Sequence, residues 1–96
     1  MKKQNEVNLG EAIRDFIRRN ELDDKLLETE IYQRWEELAG KAVNLKTREV
    51  RYWRGRLVVR VSSPALRQEL QLRREALREQ INQRLKNRPV ETLEIR

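Results

Sequence analysis

The side chains of this sequence that could do chemistry are mainly arginines and tryptophans. The 96 residues include 22 Lys+Arg, 16 Asp+Glu and two Trp, with no histidine and no cysteine. The net charge of +6 falls after position 48, because residues 1–48 contain ten basic and ten acidic residues and residues 49–96 contain twelve and six. An anionic partner is therefore expected to meet the second half of the chain.

The densest part of that half is Arg48–Arg74, where arginines alternate with apolar residues around Trp53. Guanidinium groups contact phosphates and stack on bases, and an exposed tryptophan offers a stacking surface for an unpaired base. The candidate nucleic-acid-binding residues are Arg51, Trp53, Arg54, Arg56, Arg60, Arg67, Arg73, Arg74 and Arg78. No feature indicates sequence-specific readout, so binding is expected to be weak and salt-dependent.

A purely structural interpretation of the same residues stays open. Arg56 would cover Trp53 in a cation–π contact, and Glu49 and Arg60 would form an ordinary cross-strand ion pair. A charged sheet face also prevents aggregation without binding anything. Under this interpretation the arginines only keep the protein in solution.

The composition argues against an enzyme. Without histidine and cysteine, the chain lacks the commonest general base, the usual nucleophile–base pairs and the soft metal ligands. The three glycines, at positions 10, 40 and 55, do not form a phosphate-binding loop. Asp23 and Asp24 are interpreted as the N-cap and first-turn charge of a helix. We therefore predict no catalysis, no cofactor and no metal.

Apolar spacing and end signals predict the elements that must position these residues. They are helices over Leu9–Asn20 and Lys25–Ala39, a hairpin turning at Arg54-Gly55, a helix over Pro64–Asn87 and a strand over Val90–Arg96. Asn8 and Ser63 are the predicted caps of the first and third helices, and Gly40 ends the second. The apolar stripe of the first helix is Leu9, Ala12, Ile13, Phe16 and Ile17, and that of the third is Leu66, Leu70, Leu77, Ile81 and Leu85.

The two-residue turn sets the register of the hairpin, so that Trp53 faces Arg56 and Tyr52 faces Leu57. One side then holds Val50, Tyr52, Leu57, Val59 and Val61, and the other holds Glu49, Arg51, Trp53, Arg56, Val58 and Arg60. Helices must cover the apolar side, which predicts a two-layer α+β domain of order α-α-β-β-α-β with one open sheet face. We expect one cytoplasmic domain over residues 1–96, with residues 1–7 flexible.

Three segments in this order resemble the DciA-like family of bacterial proteins. They are W35-E-E-L-A-G40-K-A-V, the hairpin strand G55-R-L-V-V-R-V and the helix start S63-P-A-L-R-Q-E-L70. The resemblance covers Leu9–Arg96 and is closest in form to the short version seen in Bacteroidetes-type bacteria. The positions that match the family motif, Trp35, Gly40, Gly55 and Leu57, are expected to hold the core and turns.

The resemblance implies a KH-like fold and a protein that binds the replicative DNA helicase DnaB and single-stranded DNA, assisting helicase loading without an ATPase of its own. Longer family members have a basic disordered tail, which this sequence lacks. The G-x-x-G loop of typical KH domains is also missing, since Gly40-Lys41-Ala42-Val43 has only its first glycine. The alternative is a small KH-like RNA-binding, ribosome-associated protein that uses the same sheet.

Overall fold

A three-stranded sheet with helices packed on one of its faces forms the centre of the protein. The computed structural model describes residues 8–96, so the prediction that residues 1–7 are flexible lies outside the described part. The elements are α1 (Leu9–Gln33), α2 (Trp35–Ala39), α3 (Lys41–Lys46), β1 (Thr47–Trp53), β2 (Arg56–Val61), α4 (Pro64–Leu72), α5 (Arg74–Leu85) and β3 (Thr92–Ile95). The predicted α+β architecture and its KH-like order are confirmed.

The hairpin has the predicted register. Trp53 pairs with Arg56, Tyr52 with Leu57 and Glu49 with Arg60, and the ladder is irregular only between Thr47 and Glu49. The strand β3 pairs in parallel with β2, giving the order β1-β2-β3. A parallel neighbour needs a long crossover connection, and α4 and α5 supply it.

One face of this sheet is buried under the helices. The buried residues of the sheet are Val50, Tyr52, Leu57, Val59, Val61, Leu93 and Ile95, and they join Ile31, Trp35, Leu38, Leu70, Leu77, Ile81 and Leu85 of the helices in a single cluster. Trp35 is held there by a hydrogen bond from its indole nitrogen to Thr47 Oγ1 at 2.8 Å. Burial of an indole normally requires such a partner.

Three predicted helix signals are confirmed. The side chain of Asn8 accepts hydrogen bonds from the amides of Gly10 and Glu11 at 2.7 and 3.3 Å, and Ser63 accepts one from Leu66 N at 3.2 Å. Gly40 ends α2 with a φ of 102°, a conformation that other residues rarely adopt.

The predicted break between the first two helices is wrong. α1 runs without interruption through Asn20 and Asp23, because the segment between them contains neither glycine nor proline and the Asn20 amide bonds the carbonyl of Phe16 within the helix. Asp23 is therefore not an N-cap and Asp24 is not in a first turn, since both lie within α1. The Asp24 carboxylate instead accepts a hydrogen bond from the amide of Arg54 at 3.0 Å. The chain leaves helical geometry at Arg34 instead.

The predicted third helix is also divided differently. It pauses at Arg73, where φ is −110° and ψ is 21°, and it ends at Leu85 rather than Asn87. The last strand covers Thr92–Ile95, a shorter range than predicted. Leu72 precedes the pause and is exposed, so it contributes nothing to the core.

Candidate nucleic-acid interface

The outward face of the sheet brings the predicted hairpin residues together. Its rows cross the strands as Arg51 beside Val58 beside Glu94, and Trp53 beside Arg56 beside Thr92. Arg51, Arg56 and Trp53 are exposed, whereas Val58 is half-buried. We call Glu49, Arg51, Trp53, Arg56, Val58, Arg60, Glu94 and Arg96 the sheet face.

Two glutamates hold the arginines of the sheet face in place. Glu49 accepts from Arg51 Nη1 at 3.0 Å and from Arg60 Nε at 3.2 Å. Glu94 accepts from Arg56 Nη2 and from Arg96 Nε, both at 2.6 Å. The Glu94 group of two arginines and one carboxylate has one net positive charge, whereas Arg51 of the Glu49 group also lies 3.5 Å from the Glu28 carboxylate. A guanidinium has five N–H donors, so several of them stay free for an anion.

These hydrogen bonds shift the titration of both carboxyls. Bonds from Arg51 first and Arg60 second lower the pKa of Glu49, against the opposing effect of desolvation. Bonds from Arg56 and then Arg96 lower the pKa of Glu94 in the same way. The lowered pKa values favour the charged carboxylates, which keep the arginines oriented.

Trp53 lies at the end of the hairpin and keeps 58% of its surface exposed. The guanidinium of Arg54 lies 5.1 Å from the centre of its ring, so the expected cation–π contact exists but its cation is Arg54. Arg56 does not take that position because its guanidinium pairs with Glu94. A shallow depression of about 230 Å³ lies beside Trp53, with Val58 in it and three guanidinium groups around it.

The turn that presents Trp53 is tied to the rest of the fold. Gly55 has a φ of 85°, and a Cβ there would lie 2.9 Å from the Glu91 side chain. Its carbonyl accepts from the amides of Glu91 and Thr92 at 2.7 and 3.1 Å, and its amide donates to Tyr52 Oη at 3.1 Å. Burial raises the pKa of the Tyr52 hydroxyl, which donates to the Pro89 carbonyl. The hairpin end is thus a fixed platform.

Carboxylates from α1 close the free edge of β1. Glu28 accepts from the amide of Tyr52 and Asp24 from the amide of Arg54, both at 3.0 Å. The groove between α1 and the sheet face, about 480 Å³ in volume, therefore has an acidic wall that includes Glu21. A polyanion is repelled by this wall, so the path open to it crosses β2 and β3.

The four helix arginines among the candidates lie away from the centre of the sheet face. Arg67 donates to the Val61 carbonyl at 3.2 Å, and Arg78 donates to the Val90 carbonyl at 3.1 Å, so both hold the fold together. Arg73 pairs with Glu69 at 3.3 Å on the surface. Arg74 shares a small depression with Thr92 and Glu94, which makes it the one helix arginine of the four beside the sheet face.

Sequence reasoning missed Glu94 and Arg96 as members of this face. Their alternation with buried Leu93 and Ile95 is visible in the sequence, but no local pattern assigns the neighbour of β3 in the sheet. Pairing of Val58 with Glu94 puts these charges beside Arg56. The family-motif positions lie elsewhere: Trp35 and Leu57 are buried, and Gly40 and Gly55 occupy turns.

Residues 8–96 lack two other kinds of functional element. Within that range, no group of three or more potential ligands is placed to hold a metal ion. Across the same described residues, no helix is both long and apolar enough to cross a membrane.

Comparison with known proteins identifies the family. Neither the curated proteins nor the solved structures contain a significant match to this chain. A family model described as "Dna[CI] antecedent, DciA" matches residues 8–95, nearly the whole chain. The protein therefore belongs to the DciA family, which is associated with loading of the replicative helicase DnaB.

Proposed function

We propose that this protein binds the DnaB-type replicative helicase and assists its placement on single-stranded DNA, with the sheet face as a weak, non-specific nucleic-acid contact. Family membership over residues 8–95 is the observation that supports the helicase half of the proposal. The two arginine–glutamate groups and exposed Trp53 support the nucleic-acid half.

The chemistry of the sheet face favours a single strand over a duplex. Phosphates would bridge the free guanidinium donors of Arg56, Arg60 and Arg96, while a base would stack on Trp53. Such contacts recognise backbone charge and any aromatic base, so they provide no sequence readout. With about three phosphates engaged, the logarithm of the affinity should fall with the logarithm of salt concentration with a slope of about −2.

Weak DNA affinity is sufficient for an adaptor. Once the protein is bound to the helicase, its encounter with the strand becomes intramolecular, with an effective concentration in the millimolar range for a short connection. The two contacts then reinforce each other without either being strong. The mechanism uses only binding energy, applied to hold helicase and strand together.

The first experiment tests the helicase contact. Purified replicative helicase is immobilised and this protein is passed over it in moderate salt. Retention supports the proposal, because the helicase is the partner that family membership implies. Absence of retention at every salt concentration rejects it.

The second experiment tests the sheet face separately. Trp53→Ala combined with Arg56→Glu should weaken binding to a fluorescent single-stranded oligonucleotide, since stacking contributes about 1–3 kcal/mol per base. Tyr32→Ala combined with Lys41→Glu is the matched control, because it also removes an exposed aromatic ring and reverses one charge away from the sheet face. Equal affinities for both variants reject the site, and a clear preference for RNA over DNA of equal length favours the RNA-binding alternative.

A further inference from the structure

The first half of α1 projects from the body of the protein. Every residue from Glu11 to Arg19 is exposed, so nothing within the described residues packs on any side of this segment. The protein measures 63 × 22 × 21 Å, and its radius of gyration is 17.3 Å, against about 12 Å for a compact chain of this length. The first half of α1 therefore extends away from the rest of the fold.

The projecting segment has an apolar side that nothing covers. Leu9, Ile13, Phe16 and Ile17, which we call the α1 stripe, lie at helical spacing and keep 75, 51, 63 and 39% of their surfaces exposed. The same spacing continues through Asn20 and Asp24 to Leu27 and Ile31, which pack into the core. The same side of α1 is therefore buried in the C-terminal half of the helix and exposed in the N-terminal half.

Such a segment is a poor isolated helix. Most helical stability in proteins comes from packing of the amphipathic side, and isolated helices below about 12–15 residues are marginal in water. The projecting segment has about this length and no packing. An occupant of the α1 stripe would supply the missing stabilisation.

We propose that the occupant is a second copy of this chain, with the projecting halves of α1 lying antiparallel around a two-fold axis close to Ile17. This inference goes beyond the proposed function and does not depend on it. In the antiparallel arrangement Phe16 packs on Ile17 of the second copy, and the two bodies lie at opposite ends.

The length of the projection fits this occupant. The helix is free from Leu9 to about Asp24, whose carboxylate bonds the end of the hairpin, a span of about 24 Å. An antiparallel copy has the same free span and fills it, because the first turn of each helix reaches Asp24 of the other. Each copy thereby covers the α1 stripe of the other, as a self-complementary two-fold interface requires.

The charges beside the α1 stripe also fit an antiparallel copy. Within residues 8–96, Arg14 and Glu21 form no salt bridge. The two-fold axis brings Arg14 towards Glu21 of the second copy, and this pairing occurs twice. It also places the Asp24 carboxylate near the first turn of the second copy, where the helix dipole favours negative charge.

The oligomeric state tests the proposal first. Sedimentation equilibrium from low to several hundred micromolar should show the mass rising from 11.7 kDa towards twice that value. Phe16→Glu should remain monomeric throughout. Leu22→Glu is the matched control, since Leu22 is comparably exposed on the opposite side of the same helix, and it should associate like the unchanged protein. A constant monomer mass, or equal disruption by both variants, overturns the proposal.

The direction of pairing has its own tests. Arg14→Glu should weaken association several-fold, and addition of Glu21→Arg should restore it. Because the chain has no cysteine, Ile17→Cys should form a disulfide-linked dimer on oxidation, whereas Leu9→Cys should not, since its two copies lie about 24 Å apart. Cross-linking of Leu9→Cys but not of Ile17→Cys, or failure of the charge exchange to restore association, rejects the antiparallel dimer. The Phe16→Glu variant should still be retained on the immobilised helicase. If the unchanged protein is monomeric and the Phe16→Glu variant is not retained, the α1 stripe is assigned to the helicase instead.

Discussion

Among residues 8–96, the sheet face and the α1 stripe are two exposed surfaces that could bind a partner, and they differ in the physical reason. On the sheet face every glutamate already binds two arginines, so the surface is satisfied in water without any ligand. The α1 stripe consists of apolar side chains that water cannot satisfy. Exposure alone is weak evidence for a partner in the first region and strong evidence in the second.

The difference also concerns how each region is built. The sheet face rests on a hairpin whose turn is hydrogen-bonded to Tyr52 and to the start of β3, so its side chains have fixed positions. The α1 stripe belongs to a helix held at only one end. A rigid, charged surface suits weak contact with many similar anions, whereas a bare apolar side suits one complementary partner.

The largest expected effect is on the free energy of unfolding, and it compares substitutions at the two ends of the apolar side of α1. Ile31→Ala should lower the free energy of unfolding by about 2–5 kcal/mol, because Ile31 is fully buried and its truncation leaves a cavity. Ile13→Ala should change it by no more than about 0.5 kcal/mol at low protein concentration, as for an ordinary surface position. Urea unfolding of both variants measures the contrast. Comparable losses at low concentration would mean that Ile13 is already packed within the monomer.

The next effect tests the rigidity of the platform under the sheet face. Gly55→Ala should destabilise the protein by about 1–3 kcal/mol, because alanine disfavours the positive φ at this position. The added methyl group would also press on Glu91, which begins the segment leading into β3. Thermal unfolding measures the loss, and Ala65→Gly, at an exposed helical position, calibrates the ordinary cost of exchanging these residues. Unchanged stability of Gly55→Ala would show that the turn is flexible.

Much of the sheet face was predictable from the sequence because strand alternation has a period of two. Once the turn at Arg54-Gly55 is recognised, Val50, Tyr52 and Leu57 must share a side, and any slip by one residue would bury arginines. Local rules also place the caps at Asn8 and Ser63. At the hairpin and at these two caps, the structure follows from the residue types within one short segment.

The α1 projection was not predictable in this way. The sequence between Asn20 and Lys25 is polar except for Leu22, and it predicts a boundary between two packed helices, although polar residues do not break a helix. Arg34 and Arg73, where helices do pause, have no local glycine or proline signal, so the sequence around them does not mark these pauses. The inclusion of Glu94 and Arg96 in the sheet face likewise depends on a long-range pairing that no local pattern determines.

A smaller effect tests whether the paired charges of the sheet face limit its affinity for nucleic acid. Glu49→Gln combined with Glu94→Gln removes two negative charges and releases Arg56, Arg60 and Arg96 from these partners, while Arg51 keeps its contact with Glu28 at 3.5 Å. Single-strand affinity at low salt should rise by about two- to tenfold, and the gain should shrink at high salt. Glu36→Gln combined with Glu37→Gln is the control with the same charge change on α2. An equal gain in both variants would indicate an effect of net charge alone.

The smallest effect is the pH dependence that distinguishes the charged sheet face from apolar packing by α1. Arginine hydrogen bonds hold the pKa of Glu49 and Glu94 below the ordinary value of 4.5. Since these pKa values are lower in the folded than in the unfolded state, the stabilisation is complete above pH 4.5 and is lost as the pH falls through the folded values. The stability difference between the unchanged protein and the Glu49→Gln, Glu94→Gln variant should therefore be constant near neutral pH and vanish in strong acid. The loss caused by Ile31→Ala should remain the same over that range, because apolar burial does not titrate. A difference that persists in acid would show that the glutamates stabilise the fold by shape rather than by charge.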